Sequence, residues 1–284
     1  VGSTDLAVAL ATGNNWFKVP ETLKIIIKGK TPKGVFAKDI VLHIITAIKS
    51  DGATYKALEF SGPVIDSMDM DGRFTISNMV VEMGAKAGFM PTDKTTISWL
   101  VSRGVSPEKI KTIFADDDAK YENVLEFDIS KLQPQVSFPH SVDSAKSVSE
   151  IENTKINEAF LGTCTNGRLQ DLKIAARILK NRRVAPGVRF IIAPSSRPVF
   201  LKALELGLVE IFIKAGAVIV APGCGPCVGT HNGIPADGEI VISSANRNFK
   251  GRMGNPSAFI YLASPATVSA SAIKGYIADP REFL

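Results

Sequence analysis

The chemistry of this chain concentrates in three cysteines. Cys164 stands in Gly162-Thr163-Cys164-Thr165-Asn166-Gly167, and the other two in Pro222-Gly223-Cys224-Gly225-Pro226-Cys227. Each stretch follows an apolar run that reads as a buried strand. The glycines, prolines and small polar residues around them let backbone approach a bound group closely. A single buried cysteine is commonly just a small hydrophobe. Three among glycines at strand ends fit that reading poorly. A CxxC with a distant third thiol suits thiol–disulfide exchange, zinc, or an iron–sulfur cluster. Exchange wants the pair at the start of a helix in a small βαβ domain, and leaves Cys164 idle. Structural zinc wants four ligands, and His231, four residues after Cys227, can be the fourth. An iron–sulfur cluster takes three thiolates and leaves one iron open, as a Lewis acid requires. The cluster is the leading expectation, with Cys3His zinc as its rival.

Arg247 and Arg252 lie in the loop Asn246-Arg247-Asn248-Phe249-Lys250-Gly251-Arg252. A guanidinium fork matches a carboxylate with two parallel hydrogen bonds. Surface ion pairs are the plain alternative, but the asparagine- and glycine-rich setting favours a substrate carboxylate. Glu59, in Glu59-Phe60-Ser61-Gly62-Pro63, ends a short strand. It is an acid–base candidate, evenly balanced against a structural carboxylate. Asp116-Asp117-Asp118 matches no calcium-loop spacing and reads as a solvated loop. His43 and His140 read as structural.

These residues need a scaffold to hold them. The chain has 284 residues, 45% hydrophobic and 21% charged, enough for two or three cores. Mean hydropathy is +0.13, an ordinary globular value. The net charge is +5, but lysines and arginines are scattered. That argues against a nucleic-acid surface and suits small anionic substrates. No apolar run is long enough for a membrane span. Three cysteines make no disulfide framework, so a reducing compartment, the cytoplasm, is expected. The start carries no signal-peptide pattern and no initiator methionine, as expected of a fragment or a processed product.

The periodicity predicts a helix closing at Gly13-Asn14, a strand over 22–28, an amphipathic helix over 38–49, a strand over 55–60, helical structure over 68–88, a helix from Thr92-Asp93-Lys94 to about 101, and a strand over 124–129. Residues 133–149, with two prolines and five serines, read as a linker. Beyond it, strands are expected at 156–162, 188–193, 217–221 and 239–243. They alternate with helices at 168–181, 198–215 and 265–275. This is a βαβ pattern, which implies a largely parallel sheet. Ligands of such sheets sit at the carboxyl ends of the strands. Both cysteine stretches and the Asn246 loop fall at such ends.

Taken together, Thr163-Cys164-Thr165-Asn166-Gly167-Arg168, Cys224-Gly225-Pro226-Cys227-Val228-Gly229 and the Asn246–Arg252 loop resemble the aconitase family. Glu59-Phe60-Ser61-Gly62-Pro63 and Ile76-Ser77-Asn78-Met79 match another of its blocks. The resemblance runs along essentially the whole chain, most closely to the family branches of isopropylmalate dehydratase and homoaconitase large subunits. It implies an α/β fold of aconitase-like three-layer α/β/α domains with mostly parallel sheets. The division it implies is a first-domain remnant over 1–30, a second domain over 31–146 and a third over 147–284. It further implies a [4Fe-4S] cluster on Cys164, Cys224 and Cys227, with carboxylates held by Arg247 and Arg252 and a hydrogen bond near the cluster from Asn246. Glu59 would pair with a catalytic histidine. The activity implied is that of a hydro-lyase interconverting 2-isopropylmalate and 3-isopropylmalate in leucine biosynthesis, with homocitrate-type substrates as the alternative. A separate small subunit is the implied partner, with neither membrane nor nucleic acid.

Two departures qualify these expectations. The Asp-Ser-His block with further site histidines, which in the family precedes the stretch resembling Val1–Asp5, does not occur in this sequence. Ala193-Pro194-Ser195-Ser196-Arg197 stands where the family has Pro-Gly-Ser. The chain by itself is therefore expected to be inactive. A non-catalytic metal-binding or RNA-binding module on the same scaffold is the runner-up of another class.

Overall fold

The computed structural model describes residues 2–151 and 153–284. Helix α1 (Ser3–Thr12) closes on Gly13 in the left-handed conformation. Then follow β1 (Thr22–Lys28), α2 (Ala37–Ile48), β2 (Ala57–Ser61), α3 (Pro63–Asp66), α4 (Met70–Met79), β3 (Ala87–Phe89), α5 (Lys94–Ser102) and β4 (Asn123–Asp128). Asp69 and Asp93 start α4 and α5 by accepting hydrogen bonds from the amides of Gly72 and Thr96. The four strands form a parallel sheet in the order β3-β2-β1-β4.

The rest of the chain builds a second sheet. Its elements are β5 (Gln135–Ser137), β6 (Ala145–Ser147), β7 (Glu158–Gly162), α6 (Thr163–Asn166), α7 (Leu169–Leu179), β8 (Arg189–Ala193), α8 (Arg197–Glu205), α9 (Leu208–Ala215), β9 (Val218–Ile219), α10 (Gly225–Val228), β10 (Ile240–Ser243), β11 (Phe259–Ala263) and α11 (Pro265–Lys274). The order is β6-β5-β11-β10-β7-β8-β9. The five strands from β11 to β9 run parallel, and β5 and β6 join antiparallel at one edge.

Side-chain alternation shows how the layers stack. Phe160, Ile191, Val241 and Leu262 face a core shared with Leu58, Phe60, Ile25 and the apolar stripe of α2. Their neighbours Leu161, Ile192, Ile242 and Ala263 face a second core with α7, α9 and α11. Strands buried on both faces read as continuous apolar runs. Helices α2 and α4 thus lie between the two sheets. The fold is α/β with mostly parallel sheets, but one helical layer serves both.

Three expectations need correction. Residues 133–149 are not a linker: β5 and β6 occupy them, and Gln135, Val136 and Ser137 are buried. Serines and prolines hid two short edge strands. A boundary at 30/31 cuts β1 from its partners β2 and β4, with which it shares the middle of the first sheet. A boundary at 146/147 falls inside β6; the chain passes between sheets at residues 129–134. Strand β11 had no expected counterpart. Among the described residues, no helix is long and apolar enough to cross a membrane.

Candidate active site

In the second sheet the chain order reverses between β7 and β10: β8 and β9 extend one way, β11 the other. Loops leaving two such strands diverge and open a crevice at their carboxyl ends. Cys164 follows β7, and the Asn246–Arg252 loop follows β10. The segment after β9 brings in Cys224 and Cys227.

The turn after β7 is tightly built. Gly162 has φ +149°, and a Cβ there would lie 2.1 Å from the Ala193 carbonyl oxygen. Only glycine fits. Thr163 then takes φ +73°, which is rare for a β-branched residue and costs about 1–3 kcal/mol. This strain sits immediately beside Cys164. Gly229 likewise closes the other stretch: at φ +68°, its Cβ would lie 2.1 Å from the Gly254 amide nitrogen. The CxxC segment is thereby seated against the arginine loop.

All three cysteines are free thiols, Cys164 and Cys224 exposed and Cys227 buried. Burial pushes the Cys227 thiol up; Arg252 beside it pulls the other way, while Cys164 and Cys224 add to the rise. Arg252 Nη2 lies 3.5 Å from Cys227 Sγ. Among the described residues its buried Nε has no partner. Asn246 Oδ1 lies 3.8 Å from Cys227 Sγ. Among the described residues, no three His, Cys, Asp or Glu side chains converge on one point as a single metal ion demands. His231 is exposed, with Nδ1 2.8 Å from the Asn232 amide, and its ring packs over Gly225.

Support for these loops comes from the first half of the chain. Asn78 on α4 places Nδ2 3.6 Å from Cys164 Sγ, and its Oδ1 accepts a 2.7 Å bond from Thr165 Oγ1. Glu82, just past α4, accepts from Asn246 Nδ2 at 3.1 Å and Arg247 Nε at 2.7 Å. Lys38 is completely buried in α2 and donates to the carbonyls of Ser244 at 3.2 Å and Ala245 at 2.5 Å. Burial lowers its pKa to about 8, against the pull of Glu82, Cys227, Asp171 and Asp39. None of Lys38, Asn78 or Glu82 was expected to hold the site. Lys38 did carry a signal. A cation in the first turn of a helix opposes the helix dipole, so its place there implies a tertiary partner.

A cleft of about 380 Å³ opens beside Cys164, with Arg103, Arg168, Lys173, Ser195 and Ser196 on its walls. Ser195 donates its amide to Gly167 O at 2.8 Å, and Ser196 caps α8. The Pro194-Ser195-Ser196 departure thus leaves the stretch lining the site.

Glu59 keeps other company. It accepts from Tyr121 Oη at 2.9 Å and lies 3.9 Å from Lys24 Nζ. Leu58 and Phe60 face α2, so Glu59 faces the opposite side of the first sheet. The chain's three histidines are engaged elsewhere: His43 against Phe127, His140 against Phe259, and His231 over Gly225. The structure places Asn246 and Arg252 beside Cys227 and Asn78 beside Cys164, while Arg247 pairs with Glu82. It gives Glu59 no histidine. Asp116–Asp118 lie in an exposed loop.

Comparison with known proteins shows the family of the chain. The aconitase family (aconitate hydratase) model matches residues 1–275. The "3-isopropylmalate dehydratase large subunit 2" of Archaeoglobus fulgidus is 56% identical over 284 residues, covering all of this chain and 68% of that protein. The "3-isopropylmalate dehydratase large subunit 1" of Thermotoga maritima is 54% identical over 286 residues, again covering all of this chain and 68% of its own. A "probable methanogen homoaconitase large subunit" of Methanothermobacter thermautotrophicus is 50% identical over 282 residues, covering 99% of this chain and 65% of that one. Among solved structures, holo aconitase X of Thermococcus kodakaraensis matches distantly, at TM-score 0.45 and 14% identity over 83% of this chain and 53% of that one. The chain belongs to the aconitase family.

Proposed function

We propose that this chain is the cluster-bearing core of a 3-isopropylmalate dehydratase large subunit, a hydro-lyase that interconverts 2-isopropylmalate and 3-isopropylmalate in leucine biosynthesis. The observation that supports it is that Arg252 and Asn246 of the arginine loop lie against Cys227 Sγ, at 3.5 and 3.8 Å. The chain's relatives named for that enzyme, 54% and 56% identical along its whole length, supply the activity.

The donor set fits a [4Fe-4S] cluster held by Cys164, Cys224 and Cys227. Three thiols and no fourth thiol suit a group that keeps one iron open. When bound, such a cluster supplies a Lewis acid that weakens the bond to a departing hydroxyl. The remaining roles belong to the chain's own side chains. Arg252 donates toward Cys227 and leaves its buried Nε for an anionic guest. Arg247 presents the free end of its guanidinium to a substrate carboxylate. Asn246, beside Cys227 Sγ, steadies the sulfur and the loop. Glu59, held in place by Tyr121 and Lys24, would act as an acid–base or orienting group only with a histidine that this chain does not bring to it. The small subunit implied by the relatives' names would close the site.

The test is anaerobic loading of the full-length large chain with iron and sulfide, pairing with its small subunit, and turnover of isopropylmalate. About four irons per chain, a broad visible absorption and turnover are expected. Stoichiometric zinc without colour overturns the cluster. The homoaconitase relative at 50% identity favours a second reading, in which longer tricarboxylic acids are turned over faster. Rates on both substrate classes decide between them.

A further inference from the structure

Two arginines of this molecule are held in place without a carboxylate. Phe74 of α4 and Trp99 of α5 pack edge to face, with ring centroids 5.2 Å apart. The Arg168 guanidinium lies 4.6 Å over Phe74, and that of Arg103 lies 4.9 Å over Trp99. A guanidinium resting on an aromatic face keeps its in-plane N–H groups for another partner. Among the described residues, the arginines in salt bridges are Arg73, Arg189, Arg247 and Arg281. Arg168 gives one N–H to the Cys164 carbonyl at 2.9 Å, and its buried Nε has no partner among those residues.

Both arginines line the cleft of about 380 Å³ beside Cys164, together with Lys173 and the serines 195 and 196. Asp69 and Asp71 reach the cleft as well, but each already serves a backbone amide. Asp69 Oδ1 accepts from Gly72 at 2.8 Å, and Asp71 Oδ2 from Gln170 at 3.1 Å. Three cations without a carboxylate partner outweigh them. The cleft also points away from the arginine loop. It takes in the first turn of α4, whereas Asn78 and Glu82 serve the thiol and arginine loops from the other end of that helix. Of the three cysteines, Cys164 alone lines it.

We infer that this cleft is a second anion site, built for a phosphate group. A carboxylate is planar and takes paired donors from one side. A phosphate carries close to two charges at neutral pH and offers three oxygens, so it takes donors from several directions. Two arginines stacked on separate rings, a lysine and two hydroxyls supply donors of that kind. The cleft has room for more than the group itself, so free phosphate and a phosphomonoester present the same chemistry to it. The site stands apart from the reaction and does not depend on which hydroxy acid is turned over.

Calorimetric titration of the full-length chain at constant ionic strength tests this, with inorganic phosphate and glycerol 3-phosphate as probes. Saturable binding with a Kd of about 1 mM or tighter is expected for at least one of them. Tighter binding of the ester marks a phosphomonoester, and equal or weaker binding marks free phosphate; both support the site. Arg103→Gln and Lys173→Gln change exposed side chains and should each weaken binding about 10-fold or more, at an unchanged melting temperature. Lys18→Gln makes the same charge change outside the cleft and should leave Kd within about twofold of wild type. No saturable binding of either probe overturns the inference. So does a Kd that Arg103→Gln and Lys173→Gln leave unmoved, or that Lys18→Gln weakens as much as they do. Malonate bound as tightly as phosphate overturns the choice of a phosphate group.

Discussion

Both sheets of this molecule reverse their strand order, yet only one of the two reversals has the candidate thiols and arginines at its strand ends. In the second sheet the carboxyl ends of β7 and β10 lead to the thiols and the arginine loop. In the first, the reversal falls between β1 and β4. There Lys28 pairs with Glu126, and Asp128 accepts the Ser130 amide. A crevice is a product of topology; a site also needs residues whose types converge. The first sheet has another task. Its helices supply Lys38, Asn78 and Glu82 to the loops of the second. One half carries the reagents and the other holds them still.

The sharpest way to break this comparison is to remove a reagent. Cys227→Ser should abolish iron loading and lower turnover at least about a thousandfold, measured on the loaded, paired enzyme. In contrast, Glu59→Gln, on the far face of the first sheet, should leave iron content unchanged. If it strips the iron, the division of labour is wrong. Next, Arg252→Lys removes the fork and the buried Nε while keeping the charge. It should raise KM about 10- to 100-fold, read in steady-state kinetics.

The buttress is tested through stability. Arg73, 3% exposed, binds both oxygens of Asp93 at 2.7 and 2.6 Å and donates to the carbonyls of Met68 and Ile65. Arg73→Ala should cost about 2–3 kcal/mol in urea unfolding. The arginine holds the Asp93 carboxyl down at about 2. Asp93 therefore contributes its full stabilisation above the unfolded carboxyl range and loses it as pH falls toward 2.

The smallest effect concerns a carboxyl that behaves in reverse. Glu158 is fully buried, its Oε1 has no partner among the described residues, and burial pushes it up to about 7 against the pull of Arg189. An acid raised in the folded state stabilises below its unfolded pKa, and that stability drains away as pH rises through about 7. Glu158→Gln should make unfolding less sensitive to pH between 4.5 and 7.5, by roughly 1–2 kcal/mol over that range. An unchanged slope would show that Glu158 is already compensated.

Much of this was legible in the residues themselves. Strand β1 matched its expected span, because Ile25 and Ile27 stand among β-branched and charged residues typical of a strand. Cys164 and the Asn246–Arg252 loop do follow the strands β7 and β10 expected before them. What escaped notice was tertiary. Gln135–Ser137 and Ala145–Ser147 are too short and too polar to announce a strand, and exist because β11 offers an edge. Glu82 reads as one more surface carboxylate until its partner 165 residues away folds onto it. The surroundings of Glu59 were equally hidden, since a short strand does not announce which face its neighbours will cover.

The helical layer lodged between the sheets has a consequence for how the molecule comes apart. Phe60 of one sheet and Phe160 of the other belong to a single apolar cluster. Neither half can shed water-excluded surface without the other. Melting should therefore be one cooperative event, with no state in which a folded thiol-bearing half survives beside an unravelled support. The loops that hold the sulfurs are as durable as the whole molecule, and no more.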